Sequence, residues 1–279
     1  MVMKLKEMRL PNNRKFSYIE AGDPVGIPLI LLHGLGDSCL TFELLLQHIP
    51  ARIRAIAYTQ RGHDGIDAPE MSYRIQDFEA DLLLFMNAAD IPKAFILGAS
   101  SGGFAARKFA LRYPKRVLGL ILLGAPSAFA DKPDIVKMQE STLSRLTDPV
   151  PLAFIKSFTE GLFTKPVPPD FLELMFSESQ KVPARVWKDV SEALLKEKFP
   201  DQLHLVKASS LIVCGGKDSI ASPTDQEKLA AAIADSRFTV FPQLGHMLYW
   251  EDPKNVAKEV TSFVDEVWMG PDSAKFEYE

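Results

Sequence analysis

At 279 residues the chain is long for one average domain and short for two, which points to a single α/β core carrying an insertion. Hydrophobic residues at 47% and charged residues at 24% are ordinary globular values and exclude a disordered, collagenous or coiled-coil chain. The 32 Lys and Arg against 36 Asp and Glu give a net charge of -4, with no basic excess for nucleic acid.

The N-terminal segment Met3 to Leu10 alternates apolar with charged residues and has no apolar run before a small-residue cleavage site, so it reads as a strand rather than a signal. Pro11-Asn12-Asn13 reads as the turn to a second strand, Lys15 to Glu20, making an antiparallel hairpin. Short apolar runs follow at Pro28 to His33, Ile53 to Thr59, Ala94 to Leu97, Leu118 to Leu123, Leu211 to Cys214 and Phe238 to Phe241. Runs apolar on both faces and alternating with helices predict a mostly parallel, doubly wound sheet. Phe78, Leu82, Phe85 and Ala89 share one helical face, as do Val256, Val260, Phe263 and Val267, which predicts helices over about 74–90 and 253–268. No run approaches the roughly 20 apolar residues of a membrane span.

The rhythm breaks between Ser127 and Lys207, where helix-like segments are separated by prolines. Ile155, Phe158 and Leu162 share one face there, and Phe171, Leu172, Met175 and Phe176 another; a few of them are expected to roof an apolar pocket. The domain reading is a core of 1–126 and 208–270, a helical insertion of 127–207 and a mobile polar tail of 271–279. Cys39 and Cys214 are too few for a disulfide framework, permit at most one bridge and lack ligand spacing, so the protein reads as cytoplasmic and metal-free.

The sharpest motif is Gly98-Ala99-Ser100-Ser101-Gly102-Gly103, placed between the strand ending at Leu97 and a helix-forming stretch from Phe104. Gly98 and Gly102 permit a turn so tight that the serine between them takes a strained backbone and stands exposed. Ser101 is the nucleophile of the neighbouring register, with Ala99 and Gly103 as flanks; Gly98 favours Ser100. A serine needs a base and an orienting acid. His246 follows the last strand, and Asp218 follows the strand Leu211 to Cys214, giving the chain order Ser, Asp, His. Asp225 and Asp252 are alternative acids that better suit helix N-termini. The loop His33-Gly34-Leu35-Gly36 suggests the Leu35 amide as a second oxyanion donor beside that of Ser101.

Together with Gln60-Arg61-Gly62-His63, Gly215 to Asp218, Gly245-His246 and Glu251-Asp252-Pro253, these motifs resemble the α/β-hydrolase fold superfamily over nearly the whole chain, in particular its serine esterase and lipase-like members with a helical cap. The resemblance implies a triad of Ser100, Asp218 and His246, an oxyanion hole of the Leu35 and Ser101 amides, residues 127–207 as cap, and no cofactor. Two departures stand off the triad: Thr59 where relatives often carry Asp, and Asp64 where they carry Gly. Arg61 and His63 are expected to hold their turn together. The expected reaction is hydrolysis of a carboxylic ester or related small acyl substrate through an acyl-enzyme. Lactonase, perhydrolase, acyltransferase and carbon–carbon bond hydrolase chemistry with the same triad stay open, as does a ligand sensor on the same fold. A serine at position 100 argues against dehalogenase and epoxide hydrolase chemistry, whose resemblance would demand an aspartate there. Oligomeric state is left open.

Overall fold

Each apolar run becomes a strand, because its alternate residues are buried on opposite faces of one sheet. The computed structural model describes residues 3–9, 15–65, 71–197 and 200–270. The chain runs β1 (Lys6–Arg9), β2 (Lys15–Ala21), β3 (Ile27–Leu32), α1 (Glu43–Leu46), β4 (Ile53–Tyr58), α2 (Ile75–Ala88), β5 (Ala94–Ala99), α3 (Gly102–Arg112) and β6 (Val117–Leu123). Four helices follow, α4 (Pro133–Ser141), α5 (Leu152–Glu160), α6 (Pro169–Gln180) and α7 (Ala184–Lys196), and then β7 (Ser210–Gly215), α8 (Pro223–Ala231), β8 (Ser236–Phe241), α9 (Leu248–Glu251) and α10 (Pro253–Met269).

The eight strands form one sheet in the order β1-β2-β4-β3-β5-β6-β7-β8. β1 and β2 pair antiparallel, as the hairpin pattern predicts, and β2 pairs antiparallel with β4; the other pairs are parallel. The hairpin turn and the tail after Gly270 lie outside the described residues. In β3, Ile30 and Leu32 join one apolar cluster while Leu29 and Leu31 join the other, and in β5 Ile96 faces opposite to Phe95 and Leu97. That alternation explains the continuous runs: with both faces covered, neither parity of residue meets water. β8 departs from the expectation of a buried run. It is an edge strand of intermediate burial, with Val240 exposed, since it stands last in the strand order.

α2 and α10 stand within a residue or two of the predicted ranges. Buried Phe78, Leu82 and Phe85 hold α2 to the sheet, each such side chain contributing about 1.5–3 kcal/mol by burial, and Phe85 stacks on Tyr58 with ring centroids 4.6 Å apart. Asp252 caps α10 by accepting from the Asn255 N–H, with Pro253 in the first turn. Asp225 sits in the first turn of α8, where it accepts from the Ser127 backbone N–H and pairs with Lys132. Both alternative acids are therefore engaged in local structure. Among the described residues, no helix is long and apolar enough to cross a membrane.

β3 lies between β4 and β5, so the chain leaves β3 to one side and returns on the other. The carboxyl ends of β3 and β5 thus form a switch point, where open α/β sheets leave a crevice for ligands. Leu32 is in register with Gly98, which brings the loop after β3 beside the turn after β5.

Candidate active site

The turn after β5 is shaped by its glycines. A Cβ at Gly98 would stand 2.6 Å from the Gly103 Cα, and one at Gly102 only 2.4 Å from the Leu32 carbonyl oxygen; the strand and α3 can approach this closely only without side chains. Ser100 accordingly takes φ 49°, a left-handed conformation that costs a non-glycine residue about 1–3 kcal/mol. Ser101 has ordinary helical dihedrals as the residue before α3. The Ser100 N–H donates to the Leu123 carbonyl at 2.9 Å, which anchors the turn to β6.

The structure brings three of the candidate side chains into one chain of contacts. His246 Nδ1 lies 2.8 Å from Asp218 Oδ2, and His246 Nε2 lies 2.8 Å from Ser100 Oγ. A carboxylate only accepts, so Nδ1 carries the proton and Nε2 is left to accept from the Ser100 hydroxyl. Asp218 Oδ1 accepts from the Ile220 and Ala221 N–H groups, each at 2.8 Å, so the turn after β7 fixes the carboxylate before the imidazole meets it. Parallel pairing of β6, β7 and β8 carries these loops to the same edge as Ser100.

The loop after β3 closes over the serine. A Cβ at Gly34 would lie 3.2 Å from the Ser100 Cβ. Gly36 has φ 81°, and a Cβ there would overlap the Trp187 ring at 2.1 Å, so α7 packs directly on this loop; the Ser179 hydroxyl of α6 donates to the Gly36 carbonyl at 2.7 Å. Among the described residues, no protein group accepts from the Leu35 or Ser101 N–H. Both residues line a cavity shared with Ser100 and His246.

That cavity has an accessible volume of about 60 Å³. Its walls are mostly apolar, with Phe129, Met138, Leu143 and Leu194 among them. Phe158 and Leu162 line it, as a roof would. Ile155 does not, and neither do Phe171, Leu172, Met175 or Phe176; Phe171 instead sets its ring edge-on to Trp250, 5.3 Å away. The shared face of α6 is thus spent on packing. Beyond Ser100, Ser101 and His246, the polar side chains in the wall are Gln139 and Ser191, hydrogen-bonded to each other, and Asp37, among the described residues.

Asp37, Glu251 and Trp187 have roles that sequence reasoning did not assign. Burial pushes the Asp37 carboxyl up from the usual carboxylate range to about 7, against hydrogen bonds from Thr41 and Gly34 and the nearby His246. Glu251 accepts from the Gly245 N–H at 2.7 Å and from the Thr164 and Lys165 N–H groups, so it ties the His246 loop to the connection between α5 and α6. The only early signals were the glycines of the His33–Gly36 loop and the Glu251-Asp252-Pro253 string, which name positions without naming partners.

Arg61 and His63 hold their turn. Arg61 grips Asp81 through two contacts of 2.7 Å and donates to the Ser72 carbonyl, and the His63 ring contacts the Arg61 carbonyl at 2.9 Å. Thr59 Oγ1 accepts from the Cys39 N–H. Both cysteines are buried free thiols, pushed up by burial to about 11 for Cys39 and about 12 for Cys214, and no bridge joins them. Among the described residues, no group of three or more His, Cys, Asp or Glu could hold a metal ion.

His33 and His63 stack edge to face below the loop, 4.9 Å apart. His33 Nδ1 contacts the Gly34 carbonyl, and Nε2 accepts from the Gln60 N–H. Burial holds His33 well below its usual value and His63 at about 4. A depressed folded pKa favours the neutral imidazole, so this stability is present above about pH 6.5 and is lost as pH falls toward 4. For His63 the loss is about 3 kcal/mol. Asp37, with its raised folded pKa, has the opposite sign over this window, so comparison with a variant isolates the histidine. In urea unfolding at pH 7, 5.5 and 4, the stability gap between wild type and His63→Gln should shrink toward pH 4; a constant gap would contradict the assignment.

A family model for the alpha/beta hydrolase family matches residues 29–259, and the chain belongs to that family. It is a hydrolase of the α/β type. The 2-hydroxy-6-oxo-6-phenylhexa-2,4-dienoate hydrolase of Burkholderia cepacia is 30% identical over 248 residues, covering 81% of this chain and 83% of that protein. The 3-oxoadipate enol-lactonase 2 of Acinetobacter baylyi is 22% identical over 259 residues, covering 91% and 94%. Among solved structures, a thermophilic esterase from Thermogutta terrifontis shares the fold with a TM-score of 0.82 at 20% identity, covering 95% of this chain and 99% of the other.

Proposed function

We propose that this hydrolase cleaves a carboxylic ester or related small acyl compound through a covalent acyl-enzyme, with residues 127–207 as a cap over the site. The observation that carries the reading is the pair of 2.8 Å contacts linking Asp218, His246 and Ser100 beside a mostly apolar cavity. His246 Nε2 takes the hydroxyl proton as Ser100 Oγ attacks the substrate carbonyl carbon, and Asp218 steadies the resulting imidazolium. The carbonyl oxygen becomes an oxyanion that accepts from the Leu35 and Ser101 N–H groups. Collapse expels the alcohol, which takes the proton from His246; water then attacks the acyl-enzyme by the same proton path and releases the acid.

A second reading, opening of a lactone or a carbon–carbon bond, is favoured by two relatives. One is named as an enol-lactonase, and the other acts on a dienoate whose name contains no ester. It uses the same nucleophile and differs only in the bond offered to it. The shared step is tested by intact mass after fluorophosphonate treatment: one adduct on wild type, lost in Ser100→Ala and His246→Ala and kept in Ser101→Ala. An adduct lost only in Ser101→Ala would overturn the nucleophile, and no adduct on folded protein would overturn the activated triad. Phenyl esters and lactones run side by side then separate the two readings.

A further inference from the structure

Of the described residues that line the cavity, only Asp37 and His246 carry an ionisable acid or imidazole, and no Lys or Arg is among them. His246 is accounted for by its contacts with Asp218 and Ser100. Asp37 is not. The place where a Gly34 Cβ would stand is 3.4 Å from Asp37 Oδ2 and 3.6 Å from Ser100 Oγ, so the carboxyl borders the reacting centre.

A carboxyl facing an apolar cavity gives up water that only strong partners replace. Thr41 and Gly34 supply two hydrogen bonds. Thr41 is itself tied down, its carbonyl and hydroxyl oxygens each 3.0 Å from the Trp250 indole nitrogen. A carboxylate has about four acceptor positions, more than these two hydrogen bonds fill, and Asp37 lines the cavity. The groups around it do not neutralise it: His246 already faces Asp218, and Tyr249 is buried and held neutral, its phenol pushed far up by burial and by Asp37 itself. Among the described residues, no cation of the protein pairs with Asp37.

We propose that Asp37 is a specificity-determining residue that receives a hydrogen-bond donor or ammonium group carried close to the substrate's scissile carbonyl. This rests on the hydrolase reading above and narrows its substrate class to acyl compounds with a hydroxyl, amide N–H or amine near that carbonyl. The substrate then supplies the partner that the cavity wall lacks. It would also explain an unneutralised carboxyl in a wall otherwise suited to hydrocarbon.

The test compares kcat/KM between pH 6 and pH 8 for phenyl butyrate, phenyl 3-hydroxybutyrate and phenyl 3-aminopropanoate, whose ammonium group stays protonated in this range. Any effect of pH on the shared chemical step acts on all three esters and cancels in their ratios. A carboxyl with a midpoint near 7 goes from about one tenth to about nine tenths ionised, so the ratio of the ammonium ester to butyrate should rise about tenfold. In Asp37→Asn that ratio should be low and flat, while the hydroxy ester, which an amide can still bind, keeps part of its advantage.

Equal losses on all three esters in Asp37→Asn would mean the carboxyl only braces the loop, and would overturn the proposal. So would a flat wild-type ratio with brisk ester turnover, and this arm needs no variant should Asp37→Asn fail to fold. Absence of turnover on every ester and lactone would overturn the hydrolase reading and this one with it.

Discussion

Ser100→Ala is expected to lower kcat on any accepted ester by about a millionfold, and His246→Ala by a similar factor, because nucleophile and base act as one unit. The double variant should be no worse than either single one. Asp218→Asn is expected to lose about ten-thousandfold: its side-chain amide can still contact the imidazole but no longer holds it in the tautomer that leaves Nε2 free. Ser101→Ala should stay within a few-fold of wild type, since the oxyanion contact proposed for Ser101 comes from its backbone N–H. The oxyanion hole and cavity would remain in every variant, so a residual rate about a thousandfold above water is expected in the worst of them. Steady-state kinetics on a phenyl ester checks the series. Additive losses in the double variant, or a Ser100→Ala rate near wild type, would defeat the triad assignment.

Asp81→Ala is expected to cost about 3–5 kcal/mol of stability, the usual penalty for leaving one member of a buried ion pair without its partner. The Asp81 side chain is 1% exposed and that of Arg61 10%, and the two contacts between them are both 2.7 Å. For a chain of this length the loss corresponds to about 10 °C in Tm. The control is Arg61→Met with Asp81→Leu, which removes both charges and should lose much less than Asp81→Ala alone. Calorimetry on the three proteins checks this. If Asp81→Ala unfolds within a degree or two of wild type, the pair contributes nothing measurable and the turn after β4 is held by other contacts.

The Arg61 pair shows where sequence reasoning stops. Arg61 is recognisable as a structural residue from its turn, yet nothing local says that its carboxylate stands on α2, 20 positions further on. The acids behave in the same way. Asp218, Asp225 and Asp252 all follow strands or open helices, and each is a plausible orienting group by spacing. Only the pairing of β7 with β8 puts Asp218 at 2.8 Å from His246, while Asp225 meets Ser127 and Asp252 caps α10. The insertion was legible as helical, but not its packing: α6 sets Phe171 against Trp250, and α7 places Trp187 on Gly36.

The sequence by itself determined the strands, the helix ranges of α2 and α10, and the tight turn at Ser100. Those features rest on interactions a few residues long: alternation across a sheet with two covered faces, a 3.6-residue stripe, and glycines that remove the clash of a Cβ at Gly98 and Gly102. Only the tertiary structure decided which acid meets His246, that β8 is an edge, and that Asp37 lines the cavity beside Ser100. Each of those depends on groups far apart in the chain. Their meeting is set by strand order and by how the insertion packs, and no local periodicity carries that information.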